Sequence, residues 1–183
     1  EVIGLEETEV VDGVHYLRAW GDFEHHTLTI RAGEESHLDH IAWRTKRRED
    51  VDVFAENLQA AGYEIKWVEK GTEAGQGKAF RFQLPSKHTF EIYFDMEKTL
   101  AEPERRSVLK NQTYKSWNRG VSPRRIDHVN LLSSLPVKEL ADFMQEHLGF
   151  NLREYIEAPD GSYLGAWLSV TPLVHDIAFS FDP

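Results

Sequence analysis

The chain has 183 residues, of which 40% are hydrophobic and 28% charged, a balance typical of a globular protein with one good core or two small ones. The net charge of -10 argues against nucleic acid as a partner, and no apolar run approaches the roughly 20 residues of a membrane-spanning helix. The chain contains no cysteine, which excludes disulfides, thiolate metal sites and cysteine nucleophiles, leaves His, Asp and Glu as metal ligands, and predicts a cytoplasmic protein.

A turn followed by an aromatic strand occurs near the start of the chain and again near its end. Residues 12–20 (DGVHYLRAW) resemble residues 160–167 (DGSYLGAW), and each copy is followed by a strand pattern led by His26 or by His175. Asp-Gly turns before strands are common on their own. The matching Tyr-Leu-x-Ala-Trp after both turns nevertheless indicates a tandem duplication, with offsets of 147 to 149 residues.

Two strand–helix–strand patterns follow one another along the chain. Asp39-His40-Ile41 opens a short apolar stretch that leads into a helical pattern ending at Gly62. Asp127-His128-Val129 begins the same pattern, which ends at Gly149. Alternating apolar residues then indicate strands. The sequence therefore predicts an α+β fold built from tandem βαβββ modules.

The duplication also predicts domain limits. We expect a first domain at residues 1–101, a polar and charged linker at 102–124, and a second domain at 125–183. The repeat offset places the first-half equivalent of His128 before Glu1 and the second-half equivalent of His40 at about position 189. We therefore expect a chain that is truncated at both ends.

These motifs resemble the vicinal-oxygen-chelate superfamily, which contains glyoxalases, bleomycin-resistance proteins and dioxygenases. The segment 125–130 (RIDHVN) is similar to the one that supplies the first iron ligand in class I (type I) extradiol catechol dioxygenases, such as catechol 2,3-dioxygenase and homoprotocatechuate 2,3-dioxygenase. The segment 174–179 (VHDIAF) is similar to the one that carries their acid/base histidine. In order and with the Asp-Gly turn between them, the two motifs are more specific than either alone.

The resemblance implies roles for four residues. His128 becomes a ligand of Fe(II), with Mn(II) possible, and strand alternation places Asn130 on the same face, where its amide can bond a substrate or oxygen atom. His175 becomes the acid/base, because an imidazole titrates near working pH. Trp167 lines the substrate pocket. The alternatives are hydrogen-bonded core histidines and a plain core tryptophan.

The implied activity is cleavage of a catechol-type ring beside the diol, with both atoms of O2 inserted, in aromatic catabolism. By resemblance the enzyme is a homo-oligomer, a tetramer, and the second His and the Glu of the metal site are expected near about positions 189 and 240. A glyoxalase-like isomerase and a metal-free binding module on the same scaffold are the alternatives.

The first half contains two further groups of histidines, one of them with a glutamate. His40 and Glu91 fall where the repeat places the second and third ligands in the first half, and we interpret them as relics of duplication rather than a second metal site. His25 and His26 are adjacent in a predicted strand, so we expect them to point to opposite faces and not to chelate one ion together.

Overall fold

The structure is a computed structural model that describes residues 2–99, 103 and 120–182. In chain order its elements are β1 (Glu6–Val11), β2 (Val14–Arg18), β3 (Leu28–Arg31), β4 (Ile41–Arg44), α1 (Glu49–Ala60), β5 (Lys66–Val68), β6 (Ala79–Gln83), β7 (Thr89–Tyr93), β8 (Val129–Ser133), α2 (Val137–Leu148), β9 (Asn151–Glu157), β10 (Tyr163–Ser169) and β11 (Ile177–Phe181). The chain forms two compact units: a three-strand unit within residues 1–37, 69–78 and 95–126, and a two-module unit within residues 38–68, 79–94 and 127–183. The predicted linker at 102–124 lies largely outside the described residues.

The two-module unit contains two βαβββ modules of the same topology. Their sheets have the strand orders β4-β7-β6-β5 and β8-β11-β10-β9. In each module the first strand pairs with the last in parallel, and the other pairs are antiparallel. A parallel pair needs a crossover, and the helix of each module lies on that connection. The predicted α+β fold of tandem βαβββ modules is confirmed.

Both helices end at a glycine, as the sequence predicts. Gly149 adopts a left-handed conformation with φ 70° and ψ 21°, and its N–H donates to the carbonyl of Met144. Glycine adopts this conformation without the steric cost of a Cβ atom. α1 ends similarly, with Gly62 at φ 91° directly after Ala61.

The modules share one apolar core. Phe82 of the first module and Phe143 of the second stack with ring centres 6.3 Å apart, and Trp43 meets Phe150 edge to face at 5.1 Å. Alternate strand residues point to this core, so the intervening residues lie on the opposite face of each sheet. Asn130 and Trp167 of the predicted site lie on that opposite face.

The three-strand unit contains an antiparallel sheet in the order β1-β2-β3. Asp12 and Gly13 join β1 to β2 with φ of 49° and 78°, the positive values that tight hairpin turns require. The second copy of this motif, Asp160-Gly161, lies in the loop between β9 and β10. The order β1-β2-β3 therefore repeats the order β9-β10-β11, which gives the sequence duplication a structural counterpart. Neither described helix is long and apolar enough to cross a membrane.

Candidate functional site

His128 lies directly before the start of β8, on the face of the sheet that points away from the core. Leu131 is buried and Asn130 is exposed, so strand alternation places His128 and Asn130 on the same face. Asp127 Oδ2 lies 3.0 Å from His128 Nδ1, where the carboxylate oxygen can accept a hydrogen bond from Nδ1–H. This hydrogen bond leaves the Nε2 lone pair of His128 available, which is the tautomer that a metal-binding histidine needs.

His175 lies beside His128 although 47 residues separate them in the sequence. Their ring centres are 4.3 Å apart and the ring planes are inclined by 64°. The contact follows from the topology, because β11 runs parallel to β8 with Ile177 opposite Val129. The structure thus brings the two predicted histidines together at one end of the sheet.

Asp176 fixes the backbone that carries His175. Its Oδ2 accepts hydrogen bonds from the backbone N–H groups of Val170 at 2.8 Å and Thr171 at 3.0 Å, and its Oδ1 accepts one from the Thr171 hydroxyl at 2.6 Å. The Asp176 carbonyl also accepts a hydrogen bond from the N–H of Val129 at 3.2 Å. This buried aspartate therefore ties the loop of His175 to both neighbouring strands.

Asn130 and Trp167 lie in one row across the sheet, on the face that carries His128. Asn130 pairs with Ala178 on β11, and Ala178 pairs with Trp167 on β10. Residues directly opposite each other in register project to the same face. The Ser180 hydroxyl donates to Asn130 Oδ1 at 3.0 Å, which leaves the amide N–H groups of Asn130 as donors.

Gly165 provides the space that the Trp167 indole occupies. A Cβ atom on Gly165 would lie 3.0 Å from Cη2 and 3.2 Å from Cζ3 of Trp167. The ring therefore folds back along β10, against the glycine two residues before it. The indole forms an apolar surface on the same sheet face as the polar side chains of His128 and Asn130.

The first module carries an Asp-His pair at the equivalent place, and there an arginine contacts both the histidine and a glutamate. Asp39 Oδ2 lies 3.0 Å from His40 Nδ1, and Glu91 Oε2 lies 3.9 Å from His40 Nε2. Arg81 Nε donates to Glu91 Oε2 at 2.6 Å, and Arg81 Nη2 lies 3.4 Å from His40 Nε2. The structure thus brings His40 and Glu91 together, as the repeat predicts, around a guanidinium.

Strand register shows that Arg81 and Trp167 hold the same position in their modules. Arg81 pairs with Glu91, and Trp167 pairs with Ala178. Glu91 and Ala178 each lie on the last strand of their module, beside the strand that follows the Asp-His pair. The ion pair of the first module is therefore replaced by two uncharged side chains in the second.

The prediction that His25 and His26 point to opposite faces of a strand is wrong. Their Nδ1 atoms lie 3.0 Å apart, and both residues are buried. The alternation rule does not apply because β3 begins only at Leu28, so neither histidine lies in a regular strand.

Sequence reasoning missed Asp176, Ser180 and Arg81, which orient the neighbouring site residues. Asp176 and Ser180 act through contacts that depend on strand pairing, and no local pattern indicates those contacts. Arg81 did have a signal, since it is a cation at an alternating position of the otherwise apolar run AFRF.

Known proteins resemble the whole chain. Residues 38–97 match a family model described as the catechol 2,3-dioxygenase-like N-terminal domain. The manganese-dependent 2,3-dihydroxybiphenyl 1,2-dioxygenase of Geobacillus genomosp. 3 is 50% identical over 183 residues, which is 100% of this chain and 58% of that protein. The metapyrocatechase of Geobacillus stearothermophilus is 38% identical over 99% of this chain and 54% of its own length.

A solved structure shows the same fold. The 2,3-dioxygenase LapB from Pseudomonas sp. KL28 superposes with a TM-score of 0.86 at 32% identity, over 100% of this chain and 63% of that chain. The chain thus spans between 54% and 63% of the length of these three relatives.

Proposed function

We propose that this chain, a homologue of extradiol dioxygenases along its whole length, belongs to an enzyme that opens catechol-type rings. The reaction cleaves the ring next to the two hydroxyl groups and inserts both atoms of dioxygen, giving a product of the muconic semialdehyde type. The observation that carries this proposal is the contact between His128 and His175 on the sheet face that also carries Asn130 and Trp167.

The proposed cofactor is Fe(II), with Mn(II) as the alternative that the name of one relative suggests. His128 fits either ion, because its Nδ1–H is held by Asp127 and its Nε2 lone pair is available. When bound, the ion supplies the positive charge that holds the diol and dioxygen side by side. A facial site takes two histidines and one carboxylate, and we assign only His128 among them.

The other residues hold the substrate and move its proton. His175 takes a proton from a diol hydroxyl and later returns it to the substrate, with Asp176 fixing the backbone from which it acts. Asn130 donates an amide N–H to a substrate oxygen, because Ser180 occupies its carbonyl oxygen. The Trp167 indole lies against the aromatic ring of the substrate.

The test compares two histidines at equivalent positions. His88 lies two residues before Phe90, which pairs with Ile41, and His175 lies two residues before Ile177, which pairs with Val129. The full protein that carries this chain is purified without oxygen, loaded with Fe(II) and mixed with catechol or 2,3-dihydroxybiphenyl in air.

We expect a yellow ring-opened product from the wild type and a fall in kcat of about 10²–10⁴-fold in His175→Phe. The matched variant His88→Phe should stay within a few-fold of the wild type. A metal-loaded protein that opens no diol, or equal losses in the two variants, refutes the proposal. An isomerase would be little affected by His175→Phe, so the same pair of variants separates that alternative.

The substituents of the substrate, a homo-oligomeric assembly and a cytoplasmic location are also proposals. Size-exclusion chromatography with light scattering measures the mass of the assembly and therefore the number of subunits. Comparing kcat/KM for catechol and 2,3-dihydroxybiphenyl measures the preference for a ring substituent.

A further inference from the structure

His25 and His26 form a buried pair in the three-strand unit, apart from the residues proposed above. Their Nδ1 atoms are 3.0 Å apart, and their side chains are 10% and 7% exposed. We propose that this pair binds a divalent transition-metal ion of the zinc, nickel or copper type through its two Nδ1 atoms.

The separation of the two nitrogens suits one shared ion. Metal–imidazole bonds are about 2.0–2.1 Å long, so nitrogens 3.0 Å apart subtend roughly 95° at an ion bound to both. This angle is close to that between adjacent ligands of octahedral and square-planar sites.

The far nitrogen of each ring faces a carboxylate. Glu9 Oε1 lies 2.9 Å from His25 Nε2, and Glu73 Oε2 lies 3.7 Å from His26 Nε2. Glu9 is within hydrogen-bond distance and holds a proton on His25 Nε2, as carboxylates do beside metal-bound histidines, whereas Glu73 lies beyond that distance from His26. A hydrogen bond joins the two Nδ1 atoms, so an ion bound to both of them would displace the proton that they share.

The rings are held in place before any ion binds. The ring of Tyr16 meets His26 and His25 edge to face, with centre distances of 4.8 and 5.7 Å. A Cβ atom on Gly75 would lie 2.7 Å from His25 Cγ, so the loop backbone packs closely on that imidazole. Preorganised imidazole ligands favour borderline ions over Mg²⁺ or Ca²⁺, which prefer oxygen.

The test titrates the chain with Zn²⁺ alone by calorimetry and compares single-histidine variants. His25→Gln and His26→Gln should each weaken binding at this site at least tenfold. Glu9→Gln should weaken it about 10–100-fold, the usual effect of removing the hydrogen-bond partner of a ligand histidine. Two control variants should still bind Zn²⁺ at the His25–His26 pair. His128→Gln distinguishes this ion from the one proposed for the enzyme, and His147→Gln removes a histidine that belongs to neither site.

A measurement on the unaltered chain protects the test against variants that fail to fold. Long-range nitrogen–proton NMR spectra should show Zn²⁺ bound at the Nδ1 atoms of His25 and His26, with protons only on Nε2. Unchanged binding in both variants overturns the proposal. An Nδ1–H signal that persists at saturating Zn²⁺ also overturns it, because the pair then shares a proton only.

Discussion

Removing the Arg81 guanidinium should destabilise the two-module unit far more than removing an equally close surface cation. Arg81 Nε lies 2.6 Å from Glu91 Oε2, and the Glu91 side chain is 0% exposed while that of Arg81 is 23% exposed. Arg81→Met leaves a buried carboxylate without this cation, at a cost of about 3–5 kcal/mol in the free energy of unfolding. The double variant Arg81→Met/Glu91→Leu removes both charges and should recover most of that loss.

The exposed pair Lys138–Asp142 is the matched control. Its N···O distance is also 2.6 Å, but its side chains are 56% and 52% exposed. Lys138→Met should therefore cost only about 0.3–0.5 kcal/mol. Urea unfolding followed by circular dichroism measures all four proteins. Equal losses in the two single variants, or a loss below about 1 kcal/mol for Arg81→Met, would show that burial does not set the strength of this pair.

Three more variants test other parts of the fold. Asp176→Asn should cost about 1–3 kcal/mol in urea unfolding, because an amide N–H2 replaces an oxygen that accepts backbone N–H groups; an unchanged midpoint would contradict this role. Gly149→Ala should cost about 1 kcal/mol through its φ of 70° alone, since the added Cβ meets no atom within 4 Å; a stabilised variant would contradict the left-handed cap. Burial lowers the pKa of His88 below its ordinary 6.5, so the unfolded chain binds the proton more readily and stability should fall as the pH drops below 6.5. Thermal melts of His88→Gln should lack this part of the pH dependence, and an identical dependence in both proteins would refute it.

The modular fold was predictable because its signals are local. The glycines at 62 and 149 mark helix ends, and the Asp-Gly turns mark hairpins wherever they occur. The apolar alternation in residues 79–82 and 90–94 identifies strands without any knowledge of their partners. The order of strands in each sheet follows from the parallel pairing of first and last strands, which no local pattern encodes.

The candidate site was only partly predictable. The sequence identified its histidines but not the residues that hydrogen-bond the backbone and side chains around them. His128 and His175 lie in recognisable motifs, whereas Asp176 acts through a loop that returns to it from Val170 and Thr171. The error on His25 and His26 has a simple origin. Side chains alternate between faces only within a regular strand, and these two residues precede β3, where the backbone turns the two rings toward each other.

The same Asp-His motif has different surroundings in the two modules. Asp39-His40 and Asp127-His128 have the same local geometry, with the same 3.0 Å contact between carboxylate and Nδ1. Two paired positions on the neighbouring strands differ, since the first module has Arg81 and Glu91 where the second has Trp167 and Ala178.

The parallel pairing of β8 and β11 determines when His128 and His175 come together during folding. Val129 and Ile177 are opposite each other in space but far apart along the chain, and such distant contacts are slow to form during folding. α2 and the β9–β10 hairpin contain contacts between residues close in the sequence, whereas the two imidazoles meet only where β11 pairs with β8. The histidine pair therefore forms only where the last strand is paired, and its geometry depends on this long-range contact.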